Sequence, residues 1–286
     1  MFCQWLKIKL KSTNKMIRKL LRKPYHFMKN VWRLNLVVTL YFNFKVLPFR
    51  QAIKLPFHLY GKIYIHSLRG QVCINSPHIT SGMIKIGYRW WDLFPVSLLP
   101  TQIWIDGKII FGYNVIVSGG VGLFVQHKDA TLLIGNKCLL GGGTLLKSLD
   151  VLEIGDYTRI TGNCTIMNSN MHYVKNIDNG IVKKPWGKIV IGKYCWINGG
   201  TVVTKGTVIP DYSIVARNSF LNKDYSTFGE SNLFIVGSPA KVTSARVERI
   251  FIRANEREYD KYFRENPNKE ELLLACGLEE VGEFDF

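Results

Sequence analysis

The chain has 286 residues, 47% of them apolar, and a formal net charge of +17. That length suits one large domain or two smaller ones. Its six cysteines show no C-x-x-C pair and no cysteine–histidine spacing of a zinc site, so free thiols in a reducing compartment are expected, and no metal. G-x-G-x-x-G, Walker A and H-E-x-x-H motifs are absent, which leaves dinucleotide, NTP and zinc-protease readings without support.

The charge is lopsided. Residues 1–91 hold 17 of the 38 Lys and Arg and no acid, while the remaining 21 bases balance 21 acids. A polyanionic partner would meet the N-terminal third. Residues 1–58 read as a helical lead-in. Met16, Ile17, Leu20 and Leu21 form an apolar stripe among Lys15, Arg18, Lys19, Arg22 and Lys23, and Pro24 ends the helix. With Trp5, Phe27, Trp32 and Tyr41 nearby, such a helix can lie on an anionic membrane surface or pack on the rest of the protein. No secretory signal is visible. The apolar run 31–47 carries Arg33, Asn35, Asn43 and Lys45 and is shorter than the ~20 residues of a membrane span.

From about residue 59 a period of six replaces helical spacing. Ile105, Phe111, Val117 and Leu123 are six apart, as are Ile134, Leu140 and Leu146, then Ile154, Ile160 and Ile166, then Ile191, Ile197, Val203, Ile209, Val215 and Leu221. Glycine often follows (Gly112, Gly135, Gly141, Gly155, Gly192), and a small or β-branched residue stands four places on, as at Cys138, Thr158 and Cys195. Six fits short strands joined by bends, with positions i and i+4 both facing inward. The glycine is expected to relax the bend and to allow close packing. Three hexads close a triangular coil of about 18 residues, and coils stack at the ~4.8 Å strand spacing. Cys138, Cys164 and Cys195 then read as core residues.

The period stops at Ile166 and resumes at Ile191. The segment 167–188, "MNSNMHYVKNIDNGIVKKPWGK", lies between and contains His172. A long loop on a rigid scaffold is a usual seat of chemistry, and histidine is the side chain suited to take a hydroxyl proton at neutral pH.

The repeat [LIV]-G-x-x-[small]-x, over roughly residues 60–242, resembles the hexapeptide-repeat acyltransferases. The loop Asn168-Ser169-Asn170-Met171-His172-Tyr173 resembles the D-x-[DN]-x-H-x pattern of their sugar- and polysaccharide-modifying O-acetyltransferases. The return Lys184-Pro185 through Trp196-Ile197-Asn198 resembles that type's "KP-x-x-IG-x-x-x-WIG". The sequence departs at Asn168, where the family often has Asp, and at Asn198, where it has Gly.

The resemblance implies a mainly β fold, a left-handed parallel β-helix over residues 59–243. The basic helical segment 1–58 would precede it and a helical cap, 244–286, would follow. It implies transfer of an acetyl group from acetyl-CoA to a sugar hydroxyl of a bacterial surface polysaccharide or lipopolysaccharide precursor. His172 would be the general base, with Asn168 and Asn170 beside it. The backbone N–H groups near Gly199 and Gly200 would meet the oxyanion. Coenzyme A would run past Trp196, Asn198, Gly199, Gly200, Ala216, Arg217, Asn222 and Lys223 to Lys241, within "GSPAKV" (237–242). It further implies a homotrimer with the site between neighbouring β-helices. The expected location is cytoplasmic, peripheral at the inner membrane through residues 1–58, with no nucleic-acid partner. Acyl transfer to an amino-sugar nucleotide or small amine, and a non-catalytic scaffold, are the alternatives. His127 reads as surface structure. At the C-terminus, 244–263 reads as a capping helix and 268–277 as a second short one, N-capped by Asn268 and stopped by Gly277.

Overall fold

The hexad positions all turn inward. In the computed structural model, which describes residues 34–88 and 99–274, every apolar residue of the four six-spaced series above is at most 1% exposed. The stripe at Met16–Leu21 lies outside the described residues.

Three sheets enclose these side chains. The first face holds nine strands, from Phe57–Leu59 to Ala240–Arg246. The second holds seven, from Ile63–Leu68 to Phe220–Leu221, and the third six, from Gln71–Ile74 to Val208–Ile209. The chain visits the faces in turn, and all pairings are parallel except the last one of the first face. This is a parallel β-helix. Strict register seats each inward side chain on its counterpart one coil away: Ile86 on Val117, then Leu140, Ile160, Ile197, Val215 and Ile235. The small residues at i+4 are buried too, and their polar atoms bond the backbone of the next coil. Thr158 Oγ1 donates to Gly192 O at 2.7 Å and accepts from Cys195 N at 3.1 Å. Burial pushes the thiols of Cys138 and Cys195 up to about 12 and that of Cys164 to about 11, as suits core residues.

One expectation about glycine needs correction. Gly155 does not relax a bend, because the left-handed backbone falls two residues later, at Tyr157 (φ 61). Gly155 is required by packing alone. A Cβ there would stand 2.6 Å from the carbonyl carbon of Gly192 in the next coil. The left-handed corner is carried by Tyr157, Tyr194 and Tyr212 (φ 61, 55 and 58). Their rings stack 4.7 and 4.8 Å apart and nearly parallel, at the spacing of the coils themselves.

Both ends of the prism are closed. At the N-terminal end the helix Leu36–Val46 begins at Asn35, whose Oδ1 accepts from Val38 N at 3.1 Å. It buries Phe42 edge-on against Phe57, whose ring meets Phe111 inside the coil. Two buried polar side chains serve the unpaired edge of the first strand. Asn43 donates to Phe57 O at 2.8 Å and accepts from Phe57 N at 3.1 Å, and Thr39 Oγ1 accepts from Leu59 N at 3.0 Å. The Asn residues that spoil this segment as a membrane span are thus its cap and its docking group.

The C-terminal end is closed differently from expectation. The antiparallel pair Leu233–Gly237 and Ala240–Arg246 covers it with Leu233, Ile235 and Ala240, joined by the buried Tyr225. The expected helix over 244–263 begins only at Arg253, and none of its described side chains is buried. The second expected helix is absent from residues 268–274. Leu273 is 94% exposed there, so its apolar stripe finds no surface to bury. Gly277 lies outside the described residues.

Replacing Asn43 by Leu leaves Phe57 N–H and C=O buried without a partner, which costs about 1–3 kcal/mol. Urea unfolding checks this, and a change below about 0.5 kcal/mol, the range of ordinary surface substitutions, would remove Asn43 from this role.

Candidate functional site

Among the described residues the longest interruption of the strand ladders follows Met167. There the chain leaves the edge between the second and third faces and returns at Ile189. The excursion 168–188 is a two-stranded arm rather than an open loop. Ser169 pairs with Trp186 and Lys175 with Val182, both antiparallel. Asn170 N donates to Pro185 O at 2.9 Å and Gly187 N to Asn168 O at 3.0 Å. At the tip Asn176 Oδ1 accepts from Asp178 N at 2.8 Å and Asn179 N at 3.2 Å, an Asx turn.

His172 sits near the base of the arm. Ser169 Oγ accepts from Met171 N at 3.0 Å, Met171 takes φ 64, and His172 N donates to Asn170 O at 2.8 Å. This tight turn holds the histidine backbone while its side chain stays exposed. Among the described residues the imidazole has no hydrogen-bond partner.

The side-chain hydrogen bonds of Asn168 run to the coil below, not to that imidazole. The residue is fully buried, its Oδ1 accepts from Leu149 N at 2.8 Å and its Nδ2 donates to Ser148 Oγ at 3.3 Å. The expected orienting residue is therefore the bolt that fastens the arm to the coil below. An amide is suited to that task, offering an acceptor and a donor without burying a charge. Asn170 is exposed and lends its backbone to the turn.

Other residues join His172 at this edge. Tyr173 meets Trp186 edge-on at 6.3 Å, and Lys184 Nζ lies 5.3 Å from the Trp186 ring centre. Lys205 Nζ donates to Lys184 O at 2.6 Å. Asn222 and Lys223 follow the strand Phe220–Leu221 on the same edge, with Lys223 Nζ held over Tyr225 and Phe228 at 5.4 and 4.7 Å. The sequence reading passed over Trp186, Lys184 and Lys205. The signal was present, since Lys184 and Trp186 stand in the quoted return motif.

The remaining expected cofactor contacts lie elsewhere. Gly199, Gly200, Ala216 and Arg217 occupy the edge between the first and second faces, where Gly200 takes φ 75 and a Cβ would meet Asn218 Oδ1 at 2.1 Å. The strand Val202–Thr204, about 10 Å long at ~3.3 Å per residue, separates that edge from His172's. Asn198 follows the first-face strand Trp196–Ile197 and its Nδ2 donates to Val215 O at 2.9 Å. Trp196 stands on the first face with the Arg249 guanidinium 4.9 Å over its ring. Lys241 lies in the closing antiparallel pair, opposite Val236.

No family model matches the sequence, and no curated protein does. Solved structures do show likeness. The polysialic acid O-acetyltransferase OatWY is 18% identical, over 70% of this chain and 95% of that one, with a TM-score of 0.35. The polySia-specific acetyltransferase NeuO is 15% identical over 74% and 99%, with a TM-score of 0.37. AntD, an N-acyltransferase from Bacillus cereus in complex with dTDP and 3-hydroxybutyryl-CoA, is 16% identical over 75% and 89%, with a TM-score of 0.33. At such superpositions the fold rests on this chain's own strand ladders.

Replacing Asn168 by Ala frees the base of the arm and unpairs Leu149 N. Trypsin should then cut after Lys175 and Lys183 several-fold faster than in the wild type, while the coils resist. Equal cutting rates, read by mass spectrometry, would show that Asn168 does not fasten the arm.

Proposed function

We propose that the chain transfers an acetyl group from acetyl-coenzyme A to a saccharide hydroxyl, with His172 as general base. The observation that carries the reading is the arm. Among the described residues the solenoid gives up its ladder for longest over 168–188, and at that place it presents an exposed imidazole, without a hydrogen-bond partner among those residues, on a fixed backbone.

The chemistry follows from that placement. The imidazole takes the acceptor's hydroxyl proton as its oxygen attacks the thioester carbon. The carbon–sulfur bond breaks and the coenzyme A thiolate leaves, receiving the proton back from the imidazolium. The backbone N–H of Gly199 receives the charge of the tetrahedral oxyanion, while that of Gly200 donates to Gly162 O at 3.2 Å and fixes the corner. Arg217, Asn222, Lys223 and Lys241 meet the coenzyme's phosphates and pantetheine arm. Acetyl-CoA is a substrate here, and no metal takes part.

One chain does not assemble this set, because His172 and the Gly199–Gly200 corner occupy different edges of the prism. Two copies side by side can bring those edges together. A homotrimer, with a closed ring of such contacts, does so three times over. The arm is shaped for it. Tyr173, Val174, Ile177 and Val182 are exposed on it, Ile177 to 92%. The acceptor fits a bacterial polysaccharide or lipopolysaccharide precursor, modified on the cytoplasmic side of the inner membrane.

Coenzyme A release from acetyl-CoA, with a glycan extract of the host as acceptor, tests the reading. His172→Ala should lower the rate on the order of 10²–10⁴-fold without loss of stability, since the side chain is exposed. Equal release by both proteins would overturn the mechanism.

A further inference from the structure

The N-terminal helix has two unlike faces. One, with Thr39, Phe42 and Asn43, is buried over the open end of the prism. The other exposes Leu36, Val37, Leu40 and Phe44, and the short helix Phe49–Ala52 with the turn after it adds Phe49 and Ile53. Val37 is 79% exposed and Phe49 70%. Contiguous large apolar side chains at such exposure mark an interaction surface, not ordinary scatter. Lys45, Arg50 and Lys54 are exposed among them, and residues 1–91 hold no acid.

We infer that this outer face is a membrane-docking surface, lying in the plane of a bilayer that contains anionic lipid. The occupant follows from the charge. A protein partner of mixed composition would be met by both signs, whereas apolar side chains set among Lys45, Arg50 and Lys54, with the nearby Asp106 neutralised by Arg69 at 2.9 Å, match acyl chains beneath anionic headgroups. Each exposed cation near such a surface contributes about 1 kcal/mol of attraction. The helix is too short to cross, as no described helix is long and apolar enough to span a membrane.

The position of the helix sets the geometry. It covers the end of the prism, so its outer face looks along the coil axis, and docking stands the solenoid upright on the lipid. His172's arm leaves the second face after Thr165–Met167. That strand is four ladder steps above Ile63–Leu68, or about 19 Å at the ~4.8 Å strand spacing. If the acyl-transfer reading holds, on which this step rests, the site works on sugars several residues out from a lipid anchor rather than on the one attached to it.

Flotation of the full chain with vesicles tests the docking. It needs neither acyl donor nor acceptor, so its failure would leave the role of His172 untouched. Vesicles of phosphatidylcholine with phosphatidylglycerol should carry the wild type up the gradient, and phosphatidylcholine alone should carry much less. The double variant Val37→Glu/Phe49→Glu should lower the floated fraction at least tenfold with an unchanged circular dichroism spectrum. Changing Lys45, Arg50 and Lys54 to Gln should remove most of the dependence on phosphatidylglycerol, and it keeps the test open if the first variant misfolds. Undiminished flotation of the folded double variant would overturn the inference, as would a wild type that stays at the bottom. So would a wild type that elutes as a larger assembly than the double variant and ignores vesicles, since a second copy would then be the occupant.

Discussion

Each coil of this protein rests on one repeated contact, a branched side chain seated on its counterpart a strand spacing away. The series Ile86, Val117, Leu140, Ile160, Ile197, Val215 and Ile235 shows the contact along one face. Full burial of such a side chain contributes roughly 1.5–3 kcal/mol, so a slip of one residue in any coil would expose a whole inward set. A solenoid held this way leaves its two ends unpaired. The chain closes one with Thr39, Phe42 and Asn43 of a helix, and the other with an antiparallel hairpin.

The same constraint decides where chemistry can be placed. Residues cannot be inserted within a face without breaking the ladder, but they can be inserted at an edge. Lengthening a corner of a few residues to the segment 168–188 costs roughly 2 kcal/mol of closure entropy, since each doubling adds only about 0.6. The two buried hydrogen bonds of the Asn168 side chain, at about 1 kcal/mol each, offset most of that. The arm thus has a fixed base and an exposed head. Its own edge supplies Trp186, Lys184, Lys205 and Lys223, and under the proposal the Gly199–Gly200 corner comes from a neighbouring molecule.

Much of the fold was legible because the period is strict. Every residue of the four six-spaced series is buried, and so are Cys138, Cys164 and Cys195. The arm was legible as an interruption. What stayed hidden depended on which way a polar side chain turns. Asn43 read as a polar intruder in an apolar run, because spacing does not reveal that it faces an unpaired strand edge. Asn168 read as a partner of His172 through its position in a motif, yet its amide is turned down to Leu149 and Ser148. The residues 244–246 read as helix from their charge pattern, although the need to close the last coil draws them into a strand. Trp196 read as a residue that coenzyme A runs past, and only the folded tail reveals Arg249 over its ring.

The central claim is that a working site takes His172 from one copy and the Gly199–Arg217 corner from the next. Co-expressing His172→Ala with Arg217→Glu tests it most directly, with acetyl-CoA turnover read on mixed assemblies purified by two tags. In a mixed ring some contacts join an intact histidine to an intact corner. If each variant alone is inactive, the mixed assemblies should recover about a third of the wild-type rate, since a three-membered ring holding both variants has one contact in three that pairs the two intact halves. A mixture no more active than the mean of the two variants would contradict a site shared between copies.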